Sequence, residues 1–228
     1  MIRAVITDIE GTTSSIAFVH DILFPHAYKA LPEWLEAHAD EPAVADCMDE
    51  VRADAGAPEA TTGDVAGILR SWMDEDRKAT PLKSLQGMIW ETGYRQGEFT
   101  GHLYRDVVRQ LERWKQQGAA LYIYSSGSVY AQKLMFGHSD EGDLTPLFSG
   151  YFDTAVGGKR DAESYRVILD ELGLHGSDVL FLSDVVEELD AAQNAGLRTC
   201  QVCRSEGMVT GTHPVVSGFD EVSLDGND

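Results

Sequence analysis

The sequence is short of cysteine, of basic residues and of long apolar runs, and each shortage argues against a class of function. Its three cysteines, Cys47, Cys200 and Cys203, are an odd number, which argues against a disulfide framework and for a reducing compartment. Cys200 and Cys203 have CxxC spacing but lie on a predicted strand, and zinc needs more ligands than they supply. We therefore expect all three to be structural.

Positive charge is scarce, because 18 lysines and arginines face 38 aspartates and glutamates, for a formal net charge of −20. This balance argues against a nucleic-acid partner, since phosphate backbones select basic surfaces. No apolar run approaches the roughly 18 residues of a membrane span, and the chain starts without a secretory leader pattern. We expect a cytoplasmic protein with no membrane partner.

The 228 residues, 43% of them hydrophobic, suffice for one large domain or for a core with an insertion. IRAVIT at the start and AALYIY, GYF, DVLFLS and LRTCQV after residue 102 are typical of strands. Amphipathic helical segments separate the later strands. This alternation predicts an α/β fold with a parallel sheet and right-handed crossovers.

A long segment without strand signals interrupts the alternation. Residues 16–100 show apolar residues at helical spacing only, with breaks expected near Pro25 and Pro32. We therefore predict a catalytic core made of residues 1–15 and 101–228, and an inserted helical domain over residues 16–100.

Polar residues of complementary type follow four predicted strands, and parallel strands place their carboxyl ends at one edge of the sheet, where ligands bind. Each residue also has a structural alternative: a carboxylate holding a turn, a serine capping a helix, or a solvated lysine. The residues are Asp8 and Glu10 after the first strand, Ser125 and Ser126 after the second, Lys159 after the third and Asp184 after the fourth.

With the motifs DIEGT, YSSGSV, GGK and SDVVEELDAA, nearly the whole chain resembles the haloacid dehalogenase superfamily of phosphotransferases. The resemblance implies a Rossmannoid parallel-sheet core with an inserted helical cap. It implies that Asp8 attacks phosphorus, and that Asp8, Asp184 and the backbone carbonyl of Glu10 hold one Mg²⁺ per subunit. These are hard oxygen ligands, as Mg²⁺ prefers.

The same resemblance indicates roles for the other polar residues around the phosphate. Lys159 would balance the phosphate and orient the nucleophile, while Ser125 and Ser126 or the Gly127 amide would donate hydrogen bonds to it. Glu10 stands where the superfamily usually has aspartate, and we expect it to be the general acid and base. Glu188 stays open between holding a metal-bound water, positioning the lysine and being a solvated helix residue.

The stretch DRKATPLKSLQGMIWETGYRQGEF adds a resemblance to the enolase-phosphatase (acireductone synthase) family of methionine salvage. It implies enolisation of 2,3-diketo-5-methylthiopentyl-1-phosphate and its hydrolysis to acireductone and phosphate, by a monomer with this small molecule as partner. The enolisation base stays unidentified. Candidate residues of the insert, with packing as their alternative, are Arg77, Lys78, Lys83, Gln86 and Trp90; His20 and His26 are expected to be structural.

Two other functions remain open. The first is a capped Mg²⁺-dependent phosphatase acting on a different small phosphomonoester. The second is a phospho-accepting receiver domain, which uses aspartate and lysine on a similar sheet but is shorter and lacks a helical insert after the first strand. Detection of an enol product separates the first from an enolase-phosphatase, and a stable phosphorylated Asp8 without turnover would indicate the second.

Overall fold

Six parallel strands form one sheet in the first of two units of the chain. The computed structural model describes residues 1–225. The first unit comprises Met1–Ile16 and the chain from Thr100 onward, and the second comprises Ala17–Phe99. Within the described part of the chain, no helix combines the length and the apolar character needed to cross a membrane.

The strands are β1 (Ala4–Thr7), β2 (Ala120–Tyr124), β3 (Gly150–Phe152), β4 (Val179–Ser183), β5 (Arg198–Val202) and β6 (Val215–Val216). The helices are α1 (Ile16–Phe18), α2 (Phe24–His38), α3 (Pro42–Asp54), α4 (Thr62–Asp74), α5 (Thr80–Gln96), α6 (Arg105–Gln116), α7 (Val129–Gly137), α8 (Ala162–Leu172) and α9 (Val186–Asn194).

The strand order is β3-β2-β1-β4-β5-β6, and every neighbouring pair is parallel. The α/β fold with a parallel sheet, predicted from the alternation, is confirmed. β1 lies between β2 and β4, with Thr7 opposite both Ile123 and Leu182. All of β1 is buried, which explains why its residues before Thr7 are all apolar.

The core of the first unit is built from strand residues and the helices that cross between them. Tyr124 of β2, Tyr165 of α8 and Phe181 of β4 are fully buried and pack their rings edge to face. This aromatic stack ties α8 to the central strands. Beyond β5, the tail adds β6 and a short 3₁₀ turn at Phe219–Glu221, which the sequence patterns did not predict.

The second unit is helical and has a core of its own, which includes the fully buried Leu35, Leu69 and Leu85. Helix α4 begins with a capping box, in which Thr61 and Asp64 satisfy each other's backbone amides. The unit therefore buries its apolar stripes internally.

The break expected near Pro32 is wrong, because α2 runs through that proline, whereas the break expected near Pro25 lies close to the start of α2 at Phe24. Pro25 lies in the first turn of the helix, where a missing N–H costs nothing. Pro32 has no N–H to donate to the Tyr28 carbonyl, as another residue at this position of a helix would, and the Arg70 guanidinium donates to that oxygen instead, at 3.1 and 2.9 Å. The irregularity comes earlier, as a π-helical turn at Val19–Leu23.

All three cysteines carry free thiols, and Cys200 is buried in β5. Burial raises the pKa of its thiol to about 11, so the reactive thiolate is scarce at neutral pH. This agrees with a structural role.

Candidate active site

The carboxyl ends of three neighbouring strands bring together most of the polar residues singled out in the sequence. Asp8 follows β1, Ser125 follows β2 and Asp184 follows β4, and these strands are adjacent in register. Asp8 and Ser125 are each 4% exposed. The Asp8 amide donates to the Leu182 carbonyl at 2.9 Å, which fixes the start of the turn to β4.

The turn after β1 depends on a glycine. Gly11 has φ of +77°, a conformation that side chains disfavour, and its amide donates to the Ser14 carbonyl at 2.8 Å. A Cβ atom at position 11 would overlap the Asp184 carboxylate. The glycine therefore permits both the backbone turn and the close approach of Asp184.

Thr12, which sequence reasoning did not single out, links the two aspartates. Its hydroxyl lies 3.3 Å from Asp8 Oδ2 and 3.5 Å from Asp184 Oδ1, and accepts a hydrogen bond from the Asp184 amide at 3.0 Å. Thr12 is fully buried. Its position in the DIEGTT stretch was the only signal that could have identified it.

Lys159 lies between two carboxylates. Its ammonium forms an ion pair with Asp8 and another with Glu188 at 2.7 Å, and its side chain is 10% exposed. Burial alone would lower the lysine pKa, but the charges of Asp8 and Glu188 outweigh it and raise that pKa. The ammonium therefore stays charged at neutral pH.

Glu188, left open in the sequence, contacts the lysine directly. Ser183 donates a hydrogen bond to its carboxylate at 2.9 Å. Burial, followed by the charge of Asp8, raises the pKa of Glu188, while Lys159 opposes this rise. A residue that sits one turn into α9 is thus held against the ammonium rather than in solvent.

The surroundings of Asp184 disfavour the charged form of its carboxyl group. Burial, and next the charge of Asp8, raises the pKa of Asp184 to about 6. Within residues 1–225, no three His, Cys, Asp or Glu side chains are grouped so that they could hold a metal. A cation at this edge would therefore depend on two aspartates, a backbone carbonyl and water, which suits Mg²⁺.

Hydrogen bonds from a glutamine side chain and a backbone amide fix the serine turn after β2. Gln132 donates to the carbonyls of Gly127 at 2.8 Å and Phe152 at 2.9 Å, and the Gly127 amide donates to Ser125 Oγ at 3.2 Å. Ser126 is exposed. The residue that caps α7 is Ser128, so the capping alternative does not apply to Ser125 or Ser126.

An arginine with a largely covered side chain, also missed in the sequence, supports the β1 turn. Arg204 donates to the Thr12 carbonyl from Nε at 3.0 Å and from Nη2 at 2.7 Å. Its Nη1 bonds both oxygens of Asp106, at 2.9 and 2.8 Å, and its guanidinium stacks on Tyr104 at 4.2 Å. The fork geometry of arginine suits this double role.

Several residues that were candidates in the insert have partners within the helical unit. Arg77 stacks on Trp72 at 3.9 Å and pairs with Asp54 at 3.5 Å. Trp90 Nε1 donates to the Leu23 carbonyl at 2.8 Å. Of the other candidates, Lys78 pairs with Asp76, Lys83 is half-buried and Gln86 is buried. The two histidines that were expected to be structural lie in the same unit, where His26 pairs with Glu98 and His20 lies beside Phe24.

Comparison with known proteins gives concordant matches. The family model described as haloacid dehalogenase-like hydrolase matches residues 2–196. A protein of Erwinia tasmaniensis named Enolase-phosphatase E1 is 54% identical over 223 residues, which cover 98% of this chain and 97% of that protein. The Enolase-phosphatase E1 of Pseudomonas aeruginosa is 52% identical over 224 residues, covering 98% and 99% respectively.

Among solved structures, the UTR4 protein of Saccharomyces cerevisiae superposes with a TM-score of 0.81 at 31% identity, covering 97% of this chain and 100% of that chain. The phosphate complex of CbbY from Rhodobacter sphaeroides has a TM-score of 0.58 at 19% identity, over 97% of this chain and 96% of its own. The second likeness concerns the fold alone.

Proposed function

The chain belongs to the haloacid dehalogenase-like hydrolases and, within them, to the enolase-phosphatases, and from this membership we propose the reaction that its site performs. The reaction is the conversion of 2,3-diketo-5-methylthiopentyl-1-phosphate to acireductone and phosphate. The single observation that carries this proposal is the convergence of Asp8, Lys159 and Asp184 at one edge of the sheet.

We propose Asp8 as the nucleophile. One of its carboxylate oxygens forms a bond to phosphorus while the bond from phosphorus to the substrate oxygen breaks, giving an aspartyl-phosphate. Repulsion between two unit charges about 4 Å apart costs about 4 kcal/mol at an effective dielectric near 20. The buried Lys159 ammonium offsets part of this cost, because it already pairs with Asp8.

Glu10 is proposed as the proton carrier. It would donate a proton to the departing oxygen and then accept one from the water that attacks the aspartyl-phosphate, which releases phosphate and restores Asp8. Its place in the turn held by Gly11 supports this role, because that turn keeps residue 10 near the nucleophile. Ser125 is proposed as a hydrogen-bond donor to a phosphate oxygen, together with Ser126 or with the Gly127 amide, which would exchange its bond to Ser125 Oγ for one to the phosphate.

The residues present fit a magnesium ion. Asp8, Asp184 and the Glu10 carbonyl are the proposed ligands; the missing side chain at Gly11 lets the Asp184 carboxylate approach the turn. When bound, the ion would neutralise phosphate charge and polarise a substrate carbonyl for enolisation.

We further propose that the helical unit is the substrate-selecting cap of the enzyme, that its partner is this small phosphorylated diketone, and that it acts as a cytoplasmic monomer. Light scattering tests the last point by comparing the particle mass with the chain mass of 25.0 kDa. A dimer mass would contradict it.

An assay with the diketone phosphate tests the reaction. We expect phosphate release together with enol absorbance, both abolished by a chelator. Asp8→Asn should lose at least about 10⁴-fold in kcat. Asp153→Asn is the matched control, because Asp153 also follows a strand but accepts from the amides of Val129 and Ala155, at 3.0 and 2.9 Å.

Three other results of this assay would each contradict one part of the proposal. Phosphate release without an enol product would indicate a phosphatase of another small phosphomonoester. Activity that survives in chelator would remove the metal from the mechanism. An Asp8→Asn variant as active as Asp153→Asn would refute the nucleophile assignment.

A further inference from the structure

Three consecutive carbonyl groups leading to Lys159 each accept a hydrogen bond from a side-chain hydroxyl. Tyr124 donates to the Gly157 carbonyl at 3.0 Å, Ser164 to the Gly158 carbonyl at 2.8 Å and Tyr165 to the Lys159 carbonyl at 2.7 Å. A loop usually satisfies such groups with water. Here the protein supplies all three donors, so the backbone of the loop is held at residues 157–159.

The donors are mounted on rigid elements. Tyr124 ends β2, while Ser164 and Tyr165 lie in the first turn of α8. The two tyrosine rings pack edge to face with centroids 5.5 Å apart, and Tyr165 is fully buried. Burial raises the pKa of both phenols, so both hydroxyls keep the proton that they donate.

The loop also approaches α8 more closely than a side chain would permit. Gly157 has φ of +123°, and a Cβ atom there would overlap Ser164 Oγ. The glycine therefore serves the contact between loop and helix, and the GGK stretch combines a close approach with a functional lysine.

We propose that Tyr124, Ser164 and Tyr165 are positioning residues, whose hydroxyls fix the backbone at residues 157–159 and thereby set the Lys159 ammonium against Asp8. The lysine side chain is flexible and does not determine where its own Cα lies. It pairs with Asp8 and Glu188 at its far end, so a displacement of its Cα has to be absorbed by the side-chain torsions of the lysine or by these two pairs. A misplacement of about 1 Å in an active site can cost about 10²-fold in rate.

Removal of one hydroxyl at a time tests the proposal. Tyr165→Phe and Tyr124→Phe each delete one donor and keep the ring. Tyr151→Phe is the matched control, since the Tyr151 hydroxyl is buried without a hydrogen-bond partner in the described structure. The probe is p-nitrophenyl phosphate with Mg²⁺, assayed well below the unfolding temperature.

We expect kcat of Tyr165→Phe to fall about tenfold with a smaller rise in KM, because the lysine acts on charge that develops in the transition state. Tyr124→Phe should show a smaller loss in the same direction. Tyr151→Phe should match the wild type. Wild-type kinetics in both Tyr165→Phe and Tyr124→Phe, together with a lowered Tm, would mean that these hydroxyls only stabilise the fold.

A second readout does not require catalysis. The protein has few lysines, so ¹³C labelling of their ε carbons gives a simple spectrum in which Lys159→Arg identifies the Lys159 signal. That signal should move in Tyr165→Phe and stay in place in Tyr151→Phe. If it stays in place in both, the proposal is overturned.

The kinetic arm rests on the proposed function, and the two failures are distinguishable. A wild-type protein that hydrolyses no phosphomonoester refutes the function, while the lysine signal still decides the positioning role. Should Tyr165→Phe fail to fold, Tyr124→Phe and Ser164→Ala carry the same comparison at the neighbouring carbonyls.

Discussion

Substitution of Gly11 by alanine should separate backbone strain from damage to the metal site. Gly11 has φ of +77°, so Gly11→Ala introduces about 1–2 kcal/mol of conformational strain. The added methyl group also overlaps the Asp184 carboxylate, which must retreat by about 1 Å to reach van der Waals contact. Strain lowers stability, whereas the retreat moves a proposed magnesium ligand.

Gly173→Ala supplies the matched control. Gly173 has φ of +63° at the end of α8, and a Cβ atom there would meet nothing within 4 Å. Both variants should therefore lose Tm by about 2–8 °C through strain. Only Gly11→Ala should also lose activity, by about 10²-fold, because a ligand displaced by about 1 Å no longer completes the site.

The assay is a magnesium titration of phosphate release, with magnesium affinity measured independently by calorimetry. Gly11→Ala should need more Mg²⁺ for half-maximal activity and bind the ion more weakly, and Gly173→Ala should behave as the wild type in both. The reasoning fails if the two variants share one magnesium dependence, because the methyl group at position 11 would then not displace Asp184.

Three further outcomes follow from the structure. Glu10→Gln should lower steady-state turnover and leave aspartyl-phosphate on Asp8 detectable by mass spectrometry, and intact turnover would contradict the proton-transfer role. Arg204→Met should destabilise the first unit by about 3 kcal/mol in urea unfolding, because it leaves a partly buried carboxylate and the Thr12 carbonyl without their donor; a loss below about 0.5 kcal/mol would show that water replaces it. Leu35→Ala should cost the helical unit about 2–5 kcal/mol through a buried cavity, read from its unfolding midpoint, whereas an unchanged midpoint would show a relaxed core.

Much of the fold was predictable because its signals are local. A strand buried on both faces is typically a short, mainly apolar run, and β1, β2 and β4 show it, whereas β5 (RTCQV) is largely buried although it is mostly polar. The prolines of α2 show the limit of local rules. The bond that Pro32 cannot make is replaced by an arginine 38 positions later in the chain, and no window of the sequence contains both residues.

The same difference between local and non-local signals explains which residues of the candidate site could be predicted. Residues proposed for chemistry could be selected from sequence because their side chains must be of one type: a carboxylate after β1, an ammonium after β3, a carboxylate after β4. Their roles stay predictions, but their convergence follows from parallel strands. Thr12 and Arg204 carried no such requirement, since a hydroxyl or a guanidinium can serve anywhere in a protein.

Positioning contacts are hidden from sequence because one partner is usually the backbone. Arg204 bonds a carbonyl of Thr12 and Tyr165 bonds a carbonyl of Lys159, and every residue has a carbonyl. The identity of the acceptor therefore carries no information, and only the donor could be noticed. The donor has to lie at a particular place in the folded structure, but it can come from any position in the sequence. Different sequences can thus supply such a donor from different helices, strands or loops. The carboxylates and the ammonium that these donors hold in place have no chemical substitute.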